Sequence, residues 1–228
     1  MAVRAPELRA NALTTPDRAR ELGTGLAGVP ESKLVMAINA VSKAMASYCG
    51  RPLHHVEVTA EDPELFQGWG LTQLQLRCYP IVAVDQVLVG GREVTDFSSA
   101  SQFLAQGQLY REVGWPWSGP RHDDVTCDPN FGRTRWNVAV SYRGGYVTPL
   151  QAECSEHEDH DGEPLPDDIE IAMFRELADI FSGARNTGRI RREKTAGGYE
   201  VEFAMSAIVQ LSRETQDVLR GYVMGGLP

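Results

Sequence analysis

The sequence has no hydrophobic run long enough to cross a membrane. None of its 228 residues lie in a stretch that approaches the ~20 consecutive apolar residues of a membrane-spanning helix. Its N-terminus carries Arg4, Glu7 and Arg9 and has no apolar segment of the signal-peptide kind. We therefore expect a protein that is made and kept inside a cell and that does not contact a membrane.

Cysteine is scarce and scattered. Cys49, Cys78, Cys127 and Cys154 form no CxxC pair. A disulfide framework or a zinc site built from thiolates would need closer or paired spacing. The sequence therefore predicts free thiols.

The common catalytic and nucleotide-binding motifs are also absent. There is no G-x-S-x-G elbow and no phosphate-binding glycine loop at the start of a helix, and the glycine pairs at 90–91, 144–145 and 197–198 are typical of turns. His54, His55 and His122 have no partner in the sequence that would orient a general base. The sequence therefore gives no support for a catalytic triad or for a phosphate-binding loop.

Positive charge is in the minority. The 31 acidic residues exceed the 22 basic ones and give a formal net charge of -9, which argues against nucleic-acid binding over the whole surface. Hydrophobic residues make up 42% of the chain, so an ordinary folded core is expected, in one large domain or two small ones.

The order of sequence patterns predicts an α+β fold. Residues 1–29 lack sustained periodicity and are expected to form a flexible N-terminal arm. Apolar residues at helical spacing predict a helix from Pro30 to about Tyr48, ended by Gly50 and Pro52. Short β-branched or aromatic runs predict strands at 55–59, 73–76, 82–89, 108–111 and 136–142, with a hairpin turn at Gly90-Gly91. Further helices are expected from Asp167 to about Gly183 and over 212–224.

Residues 151–164 are predicted to form an acidic loop. The segment contains Cys154, His157 and His160, whose spacing admits a metal site and, as an alternative function, a metal-dependent hydrolase. A solvated acidic loop that happens to contain histidines explains the same residues, and no metal is predicted.

Two further segments each admit two interpretations. A basic segment, Arg185, Arg189, Arg191, Arg192 and Lys194, either binds phosphates or forms a solvated or subunit-pairing surface. Trp115 and Trp117 either belong to the core of the β-domain or form an exposed docking site.

Several short motifs occur in a fixed order. The chain carries YCGRP at 48–52, LRCYPIVAV at 76–84, WP at 115–116, VAVSYRGGY at 138–146 and LPDDI at 165–169. This series resembles the head-tail connector (adaptor, or head-completion) proteins of long-tailed bacteriophages, over about residues 34–183. No single motif is diagnostic, and the order carries the resemblance.

The resemblance implies a small helical bundle, residues 30–52 and 165–228, with an inserted antiparallel β-domain at 53–150. It also implies a structural virion protein at the head-tail junction, made in the bacterial host cytoplasm, that is not an enzyme and has no cofactor. A dodecameric ring would bind the portal protein on one side and a tail terminator or stopper on the other, and the genomic DNA would pass through its channel.

The site residues are physical inferences and are not carried over from the family. The basic segment supplies candidates for contact with the portal or DNA, and Trp115 and Trp117 are candidates for tail-side docking. Acidic residues suited to line a channel that repels DNA phosphates are Glu156, Glu158, Asp159 and Asp161. A free DNA-binding module that uses the basic segment is a third possible function.

Overall fold

Helices and antiparallel strands together form the α+β fold that the sequence predicts. The computed structural model describes residues 6–116, 137–153, 162–182 and 210–224. The helices are α1 (Pro16–Leu22), α2 (Glu31–Cys49), α3 (Ser101–Ala105), α4 (Pro149–Glu153), α5 (Asp167–Ser182) and α6 (Arg213–Leu219). The strands are β1 (Val56–Val58), β2 (Glu64–Phe66), β3 (Gln73–Gln75), β4 (Ile81–Val89), β5 (Arg92–Glu93), β6 (Gln108–Tyr110) and β7 (Val138–Gly144).

These elements divide between two units. Of the described residues, 6–54, 148–153, 164–182 and 210–224 form the helical unit, and 55–116, 137–147, 162 and 163 form the β unit. The β unit is thus inserted in the sequence between α2 and α4 of the helical unit.

Helix α2 follows from its apolar spacing. Leu34, Ile38, Val41 and Met45 recur on one face and are completely buried. The helix ends because Gly50 adopts the left-handed conformation (φ 68°), in which a glycine has no side chain to strain. The prediction of a helix that ends at Gly50 is confirmed.

Helices α5 and α6 are joined by a buried carboxylate. Glu176 of α5 is completely buried and accepts hydrogen bonds from the backbone N–H and the hydroxyl of Ser212, at 2.8 and 2.5 Å. Ser212 in turn caps α6 by accepting from the backbone N–H of Thr215. The helix is shorter than predicted, because α6 ends at Leu219 and a 3₁₀ turn follows over Arg220–Tyr222.

The N-terminal region differs from the prediction. Residues 6–29 are not a flexible arm: they contain α1, and Leu13, Ala19 and Leu26 are buried. Arg18 on α1 binds Glu170 on α5 through two hydrogen bonds of 2.6 and 2.8 Å. The segment is held by residues about 150 positions further along the chain, which local periodicity does not reveal.

The predicted start of the acidic loop, at residue 151, is also wrong. Helix α4 covers Pro149–Glu153 and therefore includes the first three residues of the predicted loop at 151–164. Thr148 holds the start of this helix, because its hydroxyl accepts from the backbone N–H of Gln151 at 3.4 Å. Residues 154–161 lie outside the described part of the chain.

The β unit is built around β7. On one side β7 pairs with β1 through Tyr142–Gly144 and with β2 through 138–140, and on the other side it pairs with β4 along 138–144. All of these pairs are antiparallel, and the Gly90-Gly91 turn joins β4 to β5 as predicted. A second, two-stranded ribbon pairs β3 with β6. The core of the unit contains Leu74, Leu76, Cys78, Ile81, Val87, Leu109, Trp115, Val138, Val140 and Tyr142.

Candidate interaction surface

Two loops at the end of the β3–β6 ribbon are joined by backbone hydrogen bonds. The residues before β3 form one loop (68–72), and the residues after β6 form the other (111–116). Gly70 N donates to Trp115 O at 2.7 Å, and Trp115 N donates to Leu71 O at 2.8 Å. Arg111 N also donates to Thr72 O at 2.8 Å. The loop pair therefore continues the ribbon beyond its strands.

Glycines allow the two loops to approach this closely. A Cβ at Gly68 would lie 1.9 Å from Pro116 O, and a Cβ at Gly114 would lie 2.9 Å from Gly70 O. Gly70 and Gly114 also have positive φ angles of 74° and 77°, which side chains rarely adopt. The local geometry thus depends on glycine at these three positions.

Arg111 connects loop 111–116 to Asp96. It forms two hydrogen bonds to the Asp96 carboxylate, at 2.9 and 3.0 Å, and donates a third to Gly114 O at 3.2 Å. Its guanidinium lies 5.8 Å from the centre of the Trp115 ring, within cation–π range. The hydrogen bonds from Arg111 lower the pKa of Asp96 below its ordinary value.

Trp115 lies beneath the loops in the core. Its side chain is 1% exposed, and its indole N–H donates to Leu109 O at 3.3 Å. The interpretation of Trp115 as an exposed tail-side docking residue is therefore wrong, and the alternative of a core residue is correct. Trp117, its predicted companion, lies outside the described residues.

The loop pair instead exposes three other apolar side chains. Trp69 is 65% exposed, Leu71 63% and Val113 75%, and these are the largest values for any large apolar residue that the structure describes. We call Trp69, Leu71 and Val113 the apolar tip. Exposed apolar side chains grouped on one structural feature are typical of interaction surfaces.

Sequence reasoning missed the apolar tip. Its signal is the G-W-G-L sequence at 68–71, in which an aromatic residue stands between two glycines just before a strand. The sequence placed this segment between predicted strands and gave no indication that Trp69 is exposed while Trp115 is buried. Burial of one tryptophan and exposure of the other depend on the pairing of loops 40 residues apart.

One cluster of titratable side chains surrounds the buried Tyr142 in the β unit. The Tyr142 hydroxyl donates to Glu64 Oε2 and accepts from the backbone N–H of Cys78, and Arg77 Nε lies 2.9 Å from Glu64 Oε1. Burial raises the pKa of Tyr142 well above its ordinary value. These contacts tie β2 and the segment before β4 to β7, so the cluster holds the sheet together.

The other predicted site residues lie outside the described residues. These are the basic candidates Arg185, Arg189, Arg191, Arg192 and Lys194, the acidic candidates Glu156, Glu158, Asp159 and Asp161, and the metal candidates Cys154, His157 and His160. Within the part of the chain that the structure describes, no three His, Cys, Asp or Glu residues are placed to hold a metal ion. Cys49 and Cys78 are both buried, and burial raises the pKa of Cys49 to about 11.

Comparison with known proteins shows a structural similarity. No family model matches the sequence, and a search of curated proteins found no match. A chain from a solved structure described as "Virion of native gene transfer agent (GTA) particle" superposes with a TM-score of 0.49 and 12% sequence identity, over 100% of this chain and 98% of that chain. A similarity at this level carries no functional conclusion.

None of the described helices is long and apolar enough to cross a membrane.

Proposed function

We propose that this protein is a structural component of a bacteriophage neck. It forms a ring that joins the portal to the tail or to a stopper and extends the DNA channel, and it acts without catalysis. The proposal includes a place in the virion at the head-tail junction and contacts with the portal, with the tail-side protein and with further copies of the same chain.

The observation that carries this proposal is the coincidence of the ordered motifs with structural boundaries. The YCGRP motif contains Gly50, the left-handed residue that ends α2. The motif at 76–84 contains Pro80, directly before β4, and the motif at 138–146 covers the central strand β7. Pro166 of the last motif precedes α5, and its carbonyl accepts from the Ile169 and Glu170 N–H groups. Motifs that coincide with element boundaries in this order support the architecture that the resemblance implies.

The surface chemistry of the β unit also suits an assembly protein. Its apolar tip offers a surface for another protein, and its buried ionisable groups are engaged in holding the sheet. A ring would repeat a weak contact many times and so give a durable attachment.

The decisive experiment is electron microscopy of this protein mixed with the portal protein encoded in the same genome. We expect an added ring of density when the complex is viewed along the symmetry axis of the portal. Portal alone, imaged at the same salt concentration, is the control. Absence of added density at every salt concentration would contradict the proposal.

Inactivation of the gene provides an independent test. Loss of the neck ring should give heads and tails that do not join, with heads that either retain or leak their DNA. Supplying the gene from a plasmid should restore joined particles. Normal joined particles without the gene would be inconsistent with a neck component.

A further inference from the structure

We propose that the apolar tip is the surface with which this protein binds its tail-side partner. Trp69, Leu71 and Val113 would enter an apolar pocket that the partner ring repeats around its axis. This inference rests on the proposed function and adds the residues and the chemistry of one interface.

The tip is built for recognition because its backbone is held in place. Loop 68–72 and loop 111–116 are joined by backbone hydrogen bonds of 2.7 and 2.8 Å, and Arg111 fastens the second loop to Asp96. Glycines at 68, 70 and 114 permit this arrangement where a side chain would clash or strain the backbone. A surface that is ordered before binding loses less conformational entropy when the partner arrives.

The composition of the tip points to an apolar pocket. Tryptophan is among the residues that contribute most to binding energy when buried at the centre of an interface. Trp69 and Leu71 are each nearly two-thirds exposed, so both have apolar surface to lose to a partner. Of the charged residues on these loops, Arg111 is already paired with Asp96, and Glu112 is exposed beside Val113.

The size of the tip favours a ring-shaped partner over a dimer of this chain. Three side chains of these types offer on the order of 300–400 Å² of exposed surface, whereas a stable two-protein interface buries about 800 Å² on each side. Two tips in contact would therefore not hold a dimer together. The same contact repeated around a ring gains strength from its multiplicity.

We assign the tip to the tail-side ring because the sequence offers a candidate for the portal elsewhere in the chain. The basic segment at 185–194, between α5 and α6 in the sequence of the helical unit, is the candidate for the portal or DNA. The apolar tip belongs to the β unit and is chemically different, so it suits the second partner.

The test uses heads from a phage that lacks this gene, complemented in vitro with purified full-length protein and then with purified tails. Binding to heads is measured by sedimentation, and tail joining by electron microscopy and infectious titre. The variants are Trp69→Ala and, independently, Val113→Ala. Leu65→Ala is the control, because Leu65 is an exposed apolar residue of the same β unit but lies on β2 (41% exposed).

We expect Trp69→Ala to bind heads as the unaltered protein does and to reduce tail joining by tenfold or more, with a smaller reduction for Val113→Ala and none for Leu65→Ala. Thermal melting should be unchanged, since these side chains are exposed. Normal joining by both tip variants would overturn the inference, and so would a loss of binding to heads, which would place the tip against the portal. Failure of the unaltered protein to bind heads would instead overturn the proposed function.

Discussion

At the scale of single residues, the Arg18–Glu170 pair is the most informative contact in the helical unit. Glu170 is 5% exposed and also accepts from the Thr14 hydroxyl at 3.3 Å, whereas the Arg18 side chain is 43% exposed. Removal of the arginine would leave a buried carboxylate with a weaker partner. The pair therefore attaches the N-terminal region to α5. Among the described residues, this region makes few other polar contacts with α5.

We expect Arg18→Ala to lower the free energy of unfolding by about 1–2 kcal/mol, less than a fully buried pair would cost, because Arg18 remains partly solvated. Urea unfolding followed by circular dichroism measures the change. Arg20→Ala is the matched control on the same helix: its partners Asp17 and Glu31 are 95% and 71% exposed, and its loss should cost less than about 0.5 kcal/mol. Equal losses in the free energy of unfolding for the two substitutions would show that the Arg18–Glu170 pair does not stabilise the fold more than an exposed pair does.

The Asp96–Arg111 pair makes a prediction about pH. Arg111 lowers the pKa of Asp96 from its ordinary value of 3.8, so the pair stabilises the fold above that pH. The stabilisation is lost as the pH falls through the lowered pKa, when the carboxyl becomes protonated. In the Arg111→Gln variant, the midpoint pH of the Asp96 titration, followed by NMR, should rise towards 3.8. An unchanged midpoint would mean that the guanidinium does not set the pKa.

At the scale of structural elements, the loop pair makes the sharpest prediction. A Cβ at Gly68 would collide with the Pro116 carbonyl, so Gly68→Ala must push the two loops apart. We expect a loss of about 1–3 kcal/mol in the free energy of unfolding, typical of overpacking. Gly28→Ala is the control, because no atom lies within 4 Å of its added Cβ and its cost should stay within about 0.5 kcal/mol. A tolerated Gly68→Ala would show that the loops are not held together as described.

The elements that could be predicted from the sequence are those specified by local pattern. Helix α2 has apolar residues at helical spacing and a glycine at its end, and β4 with its Gly90-Gly91 turn has an equally local signal. Helix α1 and strand β2 could not be predicted, because each is short and is fixed by distant residues. Leu65 of β2 pairs with Ala139, and Arg18 of α1 binds Glu170.

The sequence did not identify the exposed residues of the loop pair. It offered Trp115 as a docking candidate, whereas Trp115 is buried and the exposed tryptophan of these loops is Trp69. Nothing in the spacing of aromatic residues distinguishes the two. The distinction arises because the Trp115 side chain packs into the core of the β unit, while the two loops pair through their backbones and leave Trp69 exposed.

At the scale of the whole molecule, the insertion of the β unit is its main feature. The chain enters the unit at β1 and leaves it after β7, and Val56 and Gly144 are direct partners in the sheet. Their Cα atoms are therefore about 5 Å apart, and the core residues of the sheet all lie between them in sequence. The expected domain division at 53–150 can therefore be tested by asking whether the helical unit folds without the β unit.

We expect the helical unit to fold after residues 57–143 are replaced by a short glycine-serine linker, because the linker needs to span only a short gap and α2 packs directly against α5. The helical signal in circular dichroism should persist and melt cooperatively. The full-length protein provides the reference. A broad, non-cooperative melt would show that the helical unit depends on the inserted sheet.

The charge of the whole molecule separates a channel protein from a DNA-binding module. With a net charge of -9, the free chain should be repelled by duplex DNA at long range, and the basic segment at 185–194 would have to overcome this repulsion. We expect no gel shift of duplex DNA by the isolated protein, even at low salt, where phosphate contacts are strongest. A shift that weakens steeply with salt and disappears when Arg189, Arg191 and Arg192 are replaced by alanine would instead establish the DNA-binding function, because each phosphate contact releases counterions. Absence of a shift, together with an added ring on the portal, would assign the DNA to the inside of a channel through which it slides without binding.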